Sequence, residues 1–176
     1  GGGAWLNNGR IERSYFENNQ ADSEGAAVYI SNTATVSQSQ FIRNTDGIFY
    51  DRASALRLGK TSLVVNSVFD GNRDNDTSEG GGAIDSAFNS TSLRIYDSSF
   101  SNNTGEDGGA VRSLGSNAVI SNATFYNNVS RCCGSGGAVN ANSISIYSSQ
   151  FISNYADCCD GGGAIFATGG LMVQDS

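Results

Sequence analysis

The sequence has no histidine and no proline, only one lysine and one methionine, and no apolar run as long as a membrane span. Without histidine, the chain lacks the side chain most often used for acid–base catalysis and for metal binding near neutral pH. Without an apolar run of about 20 residues, it predicts no transmembrane helix. Charged residues make up only 15% of the chain, and 17 acidic residues stand against 10 basic ones.

The formal net charge of −7 disfavours two classes of partner. A chain this acidic repels the phosphates of nucleic acids and the anionic headgroups of membranes. We therefore expect no nucleic-acid partner and no direct membrane insertion by this segment. Low charge combined with abundant Gly, Ser and Asn can indicate disorder. Here, however, 38% of the residues are hydrophobic and they recur at fixed spacings, which favours a folded chain.

The dominant feature of the sequence is a repeat marked by six phenylalanines that are 25 to 31 residues apart. They are Phe16, Phe41, Phe69, Phe100, Phe125 and Phe151. Three residues after each Phe stands an asparagine: Asn19, Asn44, Asn72, Asn103, Asn128 and Asn154. Five residues before each Phe stands Ile or Val, and two residues before it stands Ser or, once, Ala.

A second motif, Gly-Gly-Ala followed by an apolar residue, precedes the phenylalanines. Full copies occupy 2–5, 81–84, 108–111, 136–139 and 162–165, and weaker copies occupy 25–28 and 54–56. Strand alternation predicts that the residue after the Ala points inward: Trp5, Val28, Leu56, Ile84, Val111, Val139 and Ile165. The next residue is then predicted to point outward: Leu6, Tyr29, Arg57, Asp85, Arg112, Asn140 and Phe166.

Short alternating segments separated by Gly, Asn and Asp turns, repeated at this period, are typical of a parallel β-helix. A leucine-rich repeat would need its Leu-rich strand, and a helical repeat would need a 3.6-residue periodicity. We therefore predict an all-β fold, a right-handed single-stranded parallel β-helix (solenoid) of about seven coils with three strands per coil. Because residues 1–176 start and stop within a repeat, we expect them to be a segment of a longer protein.

Stacked coils place equivalent residues about 4.8 Å apart. We expect Phe to stack on Phe, and each Asn to bond the copies above and below it from a bend, as in stacked fibrillar sheets. The Asn backbone at the bend can also adopt the left-handed conformation.

The combination of Gly-Gly-Ala-(Ile/Val) with Phe-x-x-Asn resembles the repeat of the chlamydial polymorphic outer membrane proteins. The resemblance covers essentially the whole chain, through six Phe-x-x-Asn copies and five full Gly-Gly-Ala copies. It implies a surface-exposed parallel β-helix of the kind that those proteins use as adhesins. Paired cysteines and five Asn-x-Ser/Thr sequons depart from a bacterial passenger region and favour a secreted eukaryotic protein.

The sequons lie at Asn75, Asn89, Asn102, Asn122 and Asn128. The first four fall in loops or bends, so we predict glycosylation at some of them. Asn128 belongs to the predicted ladder, so we predict no sugar on it.

Cys132-Cys133 and Cys158-Cys159 occupy one position of the repeat in adjacent coils. Their predicted spacing of about 4.8 Å fits two inter-coil disulfides, Cys132–Cys158 and Cys133–Cys159, in an oxidising compartment. Crossed bridges, vicinal disulfides, a thiolate metal site and free thiols remain as alternatives.

Acidic residues gather in the loops between the Asn and the Gly-Gly-Ala motif. They are Asp22, Glu24, Asp46, Asp51, Asp74, Asp76, Glu79, Glu106, Asp107, Asp157 and Asp160. Carboxylates in loops can bind Ca²⁺, but the favoured interpretation is solvated turns, so we predict no cofactor. In the outward column, Arg57, Asp85 and Arg112 predict an exposed ladder of alternating charge.

These observations predict an extracellular or cell-surface structural segment of a filament, shaft or surface assembly, with further coils or subunits stacked end to end as partners. The alternative is an adhesin that binds glycans or a host protein along one face. A polysaccharide lyase or hydrolase is the third hypothesis. Because Glu12, Asp85 and Asp97 form no obvious carboxylate dyad and no histidine exists, we predict that the chain is not an enzyme.

Overall fold

The structure, a computed structural model, describes residues 2–22, 25–47, 55–75, 80–86, 90–131, 134–157 and 161–176. Within these ranges every regular element is a β-strand, and the strands pair in parallel to form a solenoid of about six turns. The prediction of an all-β parallel β-helix is confirmed, with about six turns in place of about seven. Among the described residues, no helix is long and apolar enough to cross a membrane.

The strands form four columns that run along the solenoid axis, rather than the three expected; between β8 and β15 the fourth column is continued only by isolated bridges of Arg73. The first column contains β1 (Ala4–Leu6), β5 (Val28–Ile30), β9 (Leu56–Leu58), β12 (Ile84–Ser86), the first part of β16 (Val111–Ser121), the first part of β19 (Val139–Tyr147) and β22 (Ile165–Ala167). The second column contains β2 (Gly9–Glu12), β6 (Thr33–Ser37), β10 (Thr61–Val65), β13 (Ser92–Tyr96), the later parts of β16 and β19, and β23 (Leu171–Gln174). Because β16 and β19 pass through both columns, the two join in one 12-stranded sheet.

The other two columns form separate sheets. The third column contains β3 (Tyr15–Glu17), β7 (Gln40–Ile42), β11 (Val68–Asp70), β14 (Ser99–Ser101), β17 (Thr124–Tyr126) and β20 (Gln150–Ile152). The fourth is made of two-residue strands: β4 (Gln20–Ala21), β8 (Thr45–Asp46), β15 (Thr104–Gly105), β18 (Val129–Ser130) and β21 (Tyr155–Ala156).

The core is a set of apolar columns that repeat one residue type on every turn. The six repeat phenylalanines stack with ring centroids 4.7–5.0 Å apart and interplanar angles of 3–11°. These separations lie in the range preferred by offset-stacked rings, and each such pair adds about 0.5–1.5 kcal/mol beyond the burial of its surface. The Ile/Val column on the neighbouring strands is also buried, because the bend between the two strands turns both columns toward the interior.

Two further columns turn the chain at the corners with left-handed backbone conformations. Residues three before the Phe have positive φ: Arg13, Gln38, Asn66, Asp97, Asn122 and Ser148. Residues two after it do so as well: Asn18, Arg43, Gly71, Asn102, Asn127 and Ser153. The expectation that the ladder Asn itself is left-handed is therefore wrong. The residue before it makes the turn, which allows the ladder side chain to point inward.

The first turn pairs one residue out of the predicted register. Ala4 pairs with Val28, so Trp5 pairs with Tyr29 and Leu6 with Ile30. Trp5, predicted to point inward, is 60% exposed, and Leu6, predicted to point outward, packs against the core. Phe16 follows Ala4 by 12 positions, whereas Phe41 follows Ala27 by 14, and the shorter segment shifts the pairing.

Candidate interaction surfaces

The asparagine column forms a hydrogen-bonded ladder along the interior. Asn103 Oδ1 accepts from both the backbone N–H and the side-chain Nδ2 of Asn72, each at 3.0 Å. Asn103 Nδ2 in turn donates to Phe69 O and to Asn128 Oδ1, again at 3.0 Å. Equivalent side-chain bonds link all six asparagines, from Asn19 to Asn154. The four central asparagines have no exposed surface, so the ladder serves structure and offers no site to a ligand.

A second ladder is built from the serine two residues before each Phe. Each hydroxyl donates to the carbonyl two residues earlier, and it accepts from the N–H of the equivalent residue on the turn before, as between Ser67 and Ser98 at 3.1 Å. Ala123 interrupts this ladder because it has no hydroxyl to accept from the Ser98 N–H. The ladder resumes where the Ala123 N–H donates to Ser149 Oγ at 3.1 Å.

Replacing Ala123 with Ser should therefore complete the ladder. We expect Ala123→Ser to raise the free energy of unfolding by about 0.5–1.5 kcal/mol, the net value of one intramolecular hydrogen bond. Ala118→Ser is the matched control, because Ala118 is equally buried but lies between Leu93 and Ile144. A hydroxyl without a partner there should destabilise the protein by about 1–3 kcal/mol. Denaturant unfolding measures both, and a destabilised Ala123→Ser would contradict the ladder.

The outward side of the first column carries a line of aromatic and charged contacts. The Trp5 and Tyr29 rings meet edge to face at 6.3 Å, and the Arg57 guanidinium lies 5.6 Å from the Tyr29 centroid. Asp85 is paired in register between Arg57 and Arg112, as the sequence predicts. Its carboxylate oxygens lie 3.9 Å from Arg57 Nε and 3.2 Å from Arg112 Nη1.

The predicted exposure of this charge ladder is wrong. Asp85 and Arg112 are buried, with 0% and 1% of their surface accessible. One reason is the loop residue Asp107, which reaches across the strand: its carboxylate lies 3.5 Å from Arg112 Nε and accepts a hydrogen bond from Asn140 at 3.2 Å. The backbone at Gly81 also approaches Arg112 closely, so that a Cβ there would stand 2.8 Å from Arg112 N. Burial makes the network an internal structural feature.

The outward side of the second column is partly open to solvent. Its central part presents residues from four turns: Leu63, Val65, Arg94, Tyr96, Val119, Ser121, Ser145 and Tyr147. Arg94 is the one charged residue in that set. Next to it, a groove of about 480 Å³ lies over 117–119, 143–145 and 170–172.

A separate exposed apolar patch lies where the third column turns into the fourth. Tyr126 pairs in register with Ile152, and Tyr155 follows beyond the bend. These side chains are 50%, 44% and 56% exposed. We call these three residues the tyrosine patch. Clusters of this kind on a protein surface are typical of contact sites for other molecules.

At the opposite end of the third column, Tyr15 is similarly exposed but bonds to its neighbour. The pKa of Tyr15 is raised above the usual tyrosine value, first by the hydrogen bond to the Glu17 carboxylate and second by desolvation.

The match to a family model falls on the first of these repeats. Residues 13–31 match the Chlamydia polymorphic membrane protein (Chlamydia_PMP) repeat. The matched stretch contains the first Phe-x-x-Asn motif and the second glycine anchor, so the resemblance inferred from the motifs is confirmed. The repeat is one of bacterial outer-membrane surface proteins, which is consistent with a cell-surface segment. No curated protein and no solved structure matches the chain.

The five sequons differ in accessibility. Asn102 and Asn122 are exposed, and their Nδ2 atoms donate to Asp70 and Asp97 at 2.8 and 2.6 Å. Asn75 is half-buried, and its Nδ2 donates to Asp46 O at 3.0 Å, so it is less accessible than expected. Asn128 is fully buried in the ladder. Asn89 lies outside the described residues, as do the four cysteines, so both inter-coil disulfides stay predictions.

Secretory expression tests these sites directly. We expect sugar at Asn102 and Asn122 and none at Asn128, because both Asn128 Nδ2 bonds, to Phe100 O and Asn154 Oδ1, point into the core. Glycopeptide mass spectrometry should show this, and Thr124→Ala, which removes the Asn122 sequon, should abolish the sugar on Asn122 alone. A glycopeptide modified at Asn128 in folded protein would contradict the ladder assignment.

The acidic loop residues are less solvated than predicted. Asp46, Asp74 and Glu106 are buried. They lie in or beside the short strands of the fourth column, where neighbouring turns cover them. Asp46 Oδ1 accepts a hydrogen bond from the Asn75 backbone N–H at 2.6 Å, so a backbone donor stabilises this buried carboxylate. Within the described ranges, no group of three or more Asp, Glu or Cys side chains converges as a metal site.

Proposed function

We propose that this chain is a stiff, surface-displayed segment of an extracellular protein. The observation that carries the proposal is the continuity of the Asn and Phe columns from the first turn to the sixth. Every turn is tied to the next by buried hydrogen bonds and ring stacking as well as by its strands. The inward residues recur from turn to turn and the outward residues vary. The repeat therefore maintains the solenoid itself and does not repeat one outer surface.

Stacking at the ends would extend such a rod into a shaft. Leu171 and Val173 on β23 are 53% and 49% exposed, and an apolar strand edge of this kind is a template for further strands. We propose further coils or a second subunit as the occupant. Sedimentation velocity should show concentration-dependent association, and Val173→Glu should weaken it. Val65→Glu, on an outer face away from that edge, should not.

Surface display has its own test. Antibodies raised against this chain should label intact cells of the source organism without permeabilisation, and negative-stain images of the purified chain should show short rods. Labelling only after permeabilisation would overturn the proposal.

The second candidate function is adhesion along one face, and the tyrosine patch favours it. Tyrosine rings supply large contact area with a polar tip, which suits protein and glycan partners. Binding to an array of glycans and surface proteins should fall with Tyr155→Ser. Tyr15→Ser is the matched control, because Tyr15 is equally exposed, at 58%, at the other end of the same side. The third hypothesis, a polysaccharide-active enzyme, would require release of oligosaccharides from a polysaccharide panel.

A further inference from the structure

Arg94 lies on the outer face of the second column and has no charged partner among the described residues. It is exposed, and it forms no ion pair or side-chain hydrogen bond with any residue in the described part of the chain. Its register neighbours are Leu63 on one side and Val119 on the other, and both are apolar. By contrast, Arg10 occupies the same position in β2 and binds the Glu12 carboxylate at 3.0 Å. The guanidinium of Arg94 thus has its donors available to an external anion.

Two tyrosines flank the strip next to Arg94. Tyr96 pairs in register with Ser121, and Ser121 pairs with Tyr147, so a small residue lies between two rings in one column. Two strand spacings separate the tyrosine backbones by about 9.6 Å. The gap over Ser121 therefore leaves room for a flat ligand beside or between the rings.

The groove of about 480 Å³ continues this strip away from Arg94. Val119, Ser145 and Met172 follow Arg94 in register on the next three turns and line it. Three strand spacings make the strip about 14 Å long, which suits a short oligosaccharide better than a single small ion. Asn117 and Ser143 also line the groove, and their side chains can donate hydrogen bonds to the hydroxyl groups of a sugar.

We propose that this face binds a carboxylated saccharide, with a uronate or sialate unit at Arg94. The planar guanidinium matches a carboxylate with two parallel hydrogen bonds. The tyrosine rings offer apolar faces to the C–H side of the sugar, and the serine and asparagine side chains meet its hydroxyls. This inference deepens the second candidate function by naming a ligand class, on a face separate from the tyrosine patch.

Charge makes the carboxylated sugar a better occupant than other anions. The chain carries a net charge of −7, which repels polyanions such as nucleic acid at long range. A short saccharide with few carboxylates meets much less of this repulsion than a polyanion does, and Arg94 supplies the local attraction. Asp97 is the first acidic residue after the strand that carries Arg94. Its carboxylate lies on the adjoining bend, where it accepts a hydrogen bond from Asn122 Nδ2 at 2.6 Å.

Isothermal titration of the intact chain with trigalacturonate, sialyllactose, maltotriose and lactose tests the proposal. We expect at least one carboxylated sugar to bind, its neutral counterpart to bind at least tenfold more weakly, and the affinity to fall as NaCl is added. Arg94→Gln should weaken that binding at least tenfold, and Tyr147→Ala should weaken it severalfold. Arg10→Gln should leave it unchanged, because Arg10 is already paired with Glu12.

Equal affinity for neutral and carboxylated sugars, unchanged binding by Arg94→Gln, or no binding of any of the four sugars to folded protein would overturn the proposal. Circular dichroism of each variant should show the same folded β-structure as the unsubstituted chain. Failure here is distinguishable from failure of the broader proposals, because surface labelling tests display and Tyr155→Ser tests adhesion through a different patch.

Discussion

Asn103→Ala is expected to lower the free energy of unfolding by about 3–5 kcal/mol, since each buried donor or acceptor left without a partner costs roughly 1–3 kcal/mol. The substitution removes the oxygen that accepts from Asn72 N and Asn72 Nδ2. It also removes the donor to Phe69 O and Asn128 Oδ1. Because these groups are fully buried, water cannot replace the lost partners. Guanidinium unfolding followed by circular dichroism measures the loss.

Two controls separate the ladder from a general effect of losing an asparagine. Asn102→Gly changes the exposed neighbour and retains its positive φ of 56°, so it should cost under about 1 kcal/mol. Asn19→Ala, at the first position of the ladder, removes only the side-chain donor to Asn44 Oδ1 and keeps the backbone N–H donor to the same oxygen, so its cost should fall between the two. Equal losses for Asn103→Ala and Asn102→Gly would show that the ladder contributes little.

Asp85→Ala is expected to cost about 3–5 kcal/mol, because it removes the closer carboxylate from the buried charge of Arg112 and leaves that of Asp107, 3.5 Å from Arg112 Nε. The Arg112 side chain is only 2% exposed and lies 3.2 Å from Asp85. Replacing both Asp85 and Arg112 with leucine should cost less than Asp85→Leu alone, since the fully buried charge of Arg112 is then removed as well. Thermal and denaturant unfolding of the single and double variants measures this difference.

The matched control is Glu17→Ala, which breaks the ion pair of Glu17 with Arg43 on the outside of the first turns. The Arg43 side chain in that pair is 58% exposed, so the loss should be under about 1 kcal/mol. If Asp85→Ala cost no more than Glu17→Ala, the network would be solvated in solution and its burial would not govern its energetics.

Much of the fold could be predicted from particular residues. Because Phe, Asn and Ile/Val recur at constant offsets, a parallel stack brings each residue type onto its own copy, and the Phe stack and Asn ladder follow from that. The register of Asp85 between Arg57 and Arg112 follows from the same periodicity. The repeat does not predict the Arg94 face, because its outward residues differ from turn to turn. The sequence feature that distinguishes this face is an arginine whose register neighbours, Leu63 and Val119, are apolar.

The sequence by itself determined the parallel solenoid, its interior columns and the pairing of most turns, because a repeat leaves only one register in which every apolar residue is buried. Only the tertiary structure decided the rest. It shifted Trp5 to the outside, since pairing in the first turn depends on the chain length between its strands. It buried Asp85 and Arg112 and left Arg94 open, because burial on an outer face depends on which loops cross it, and loop paths carry no periodicity.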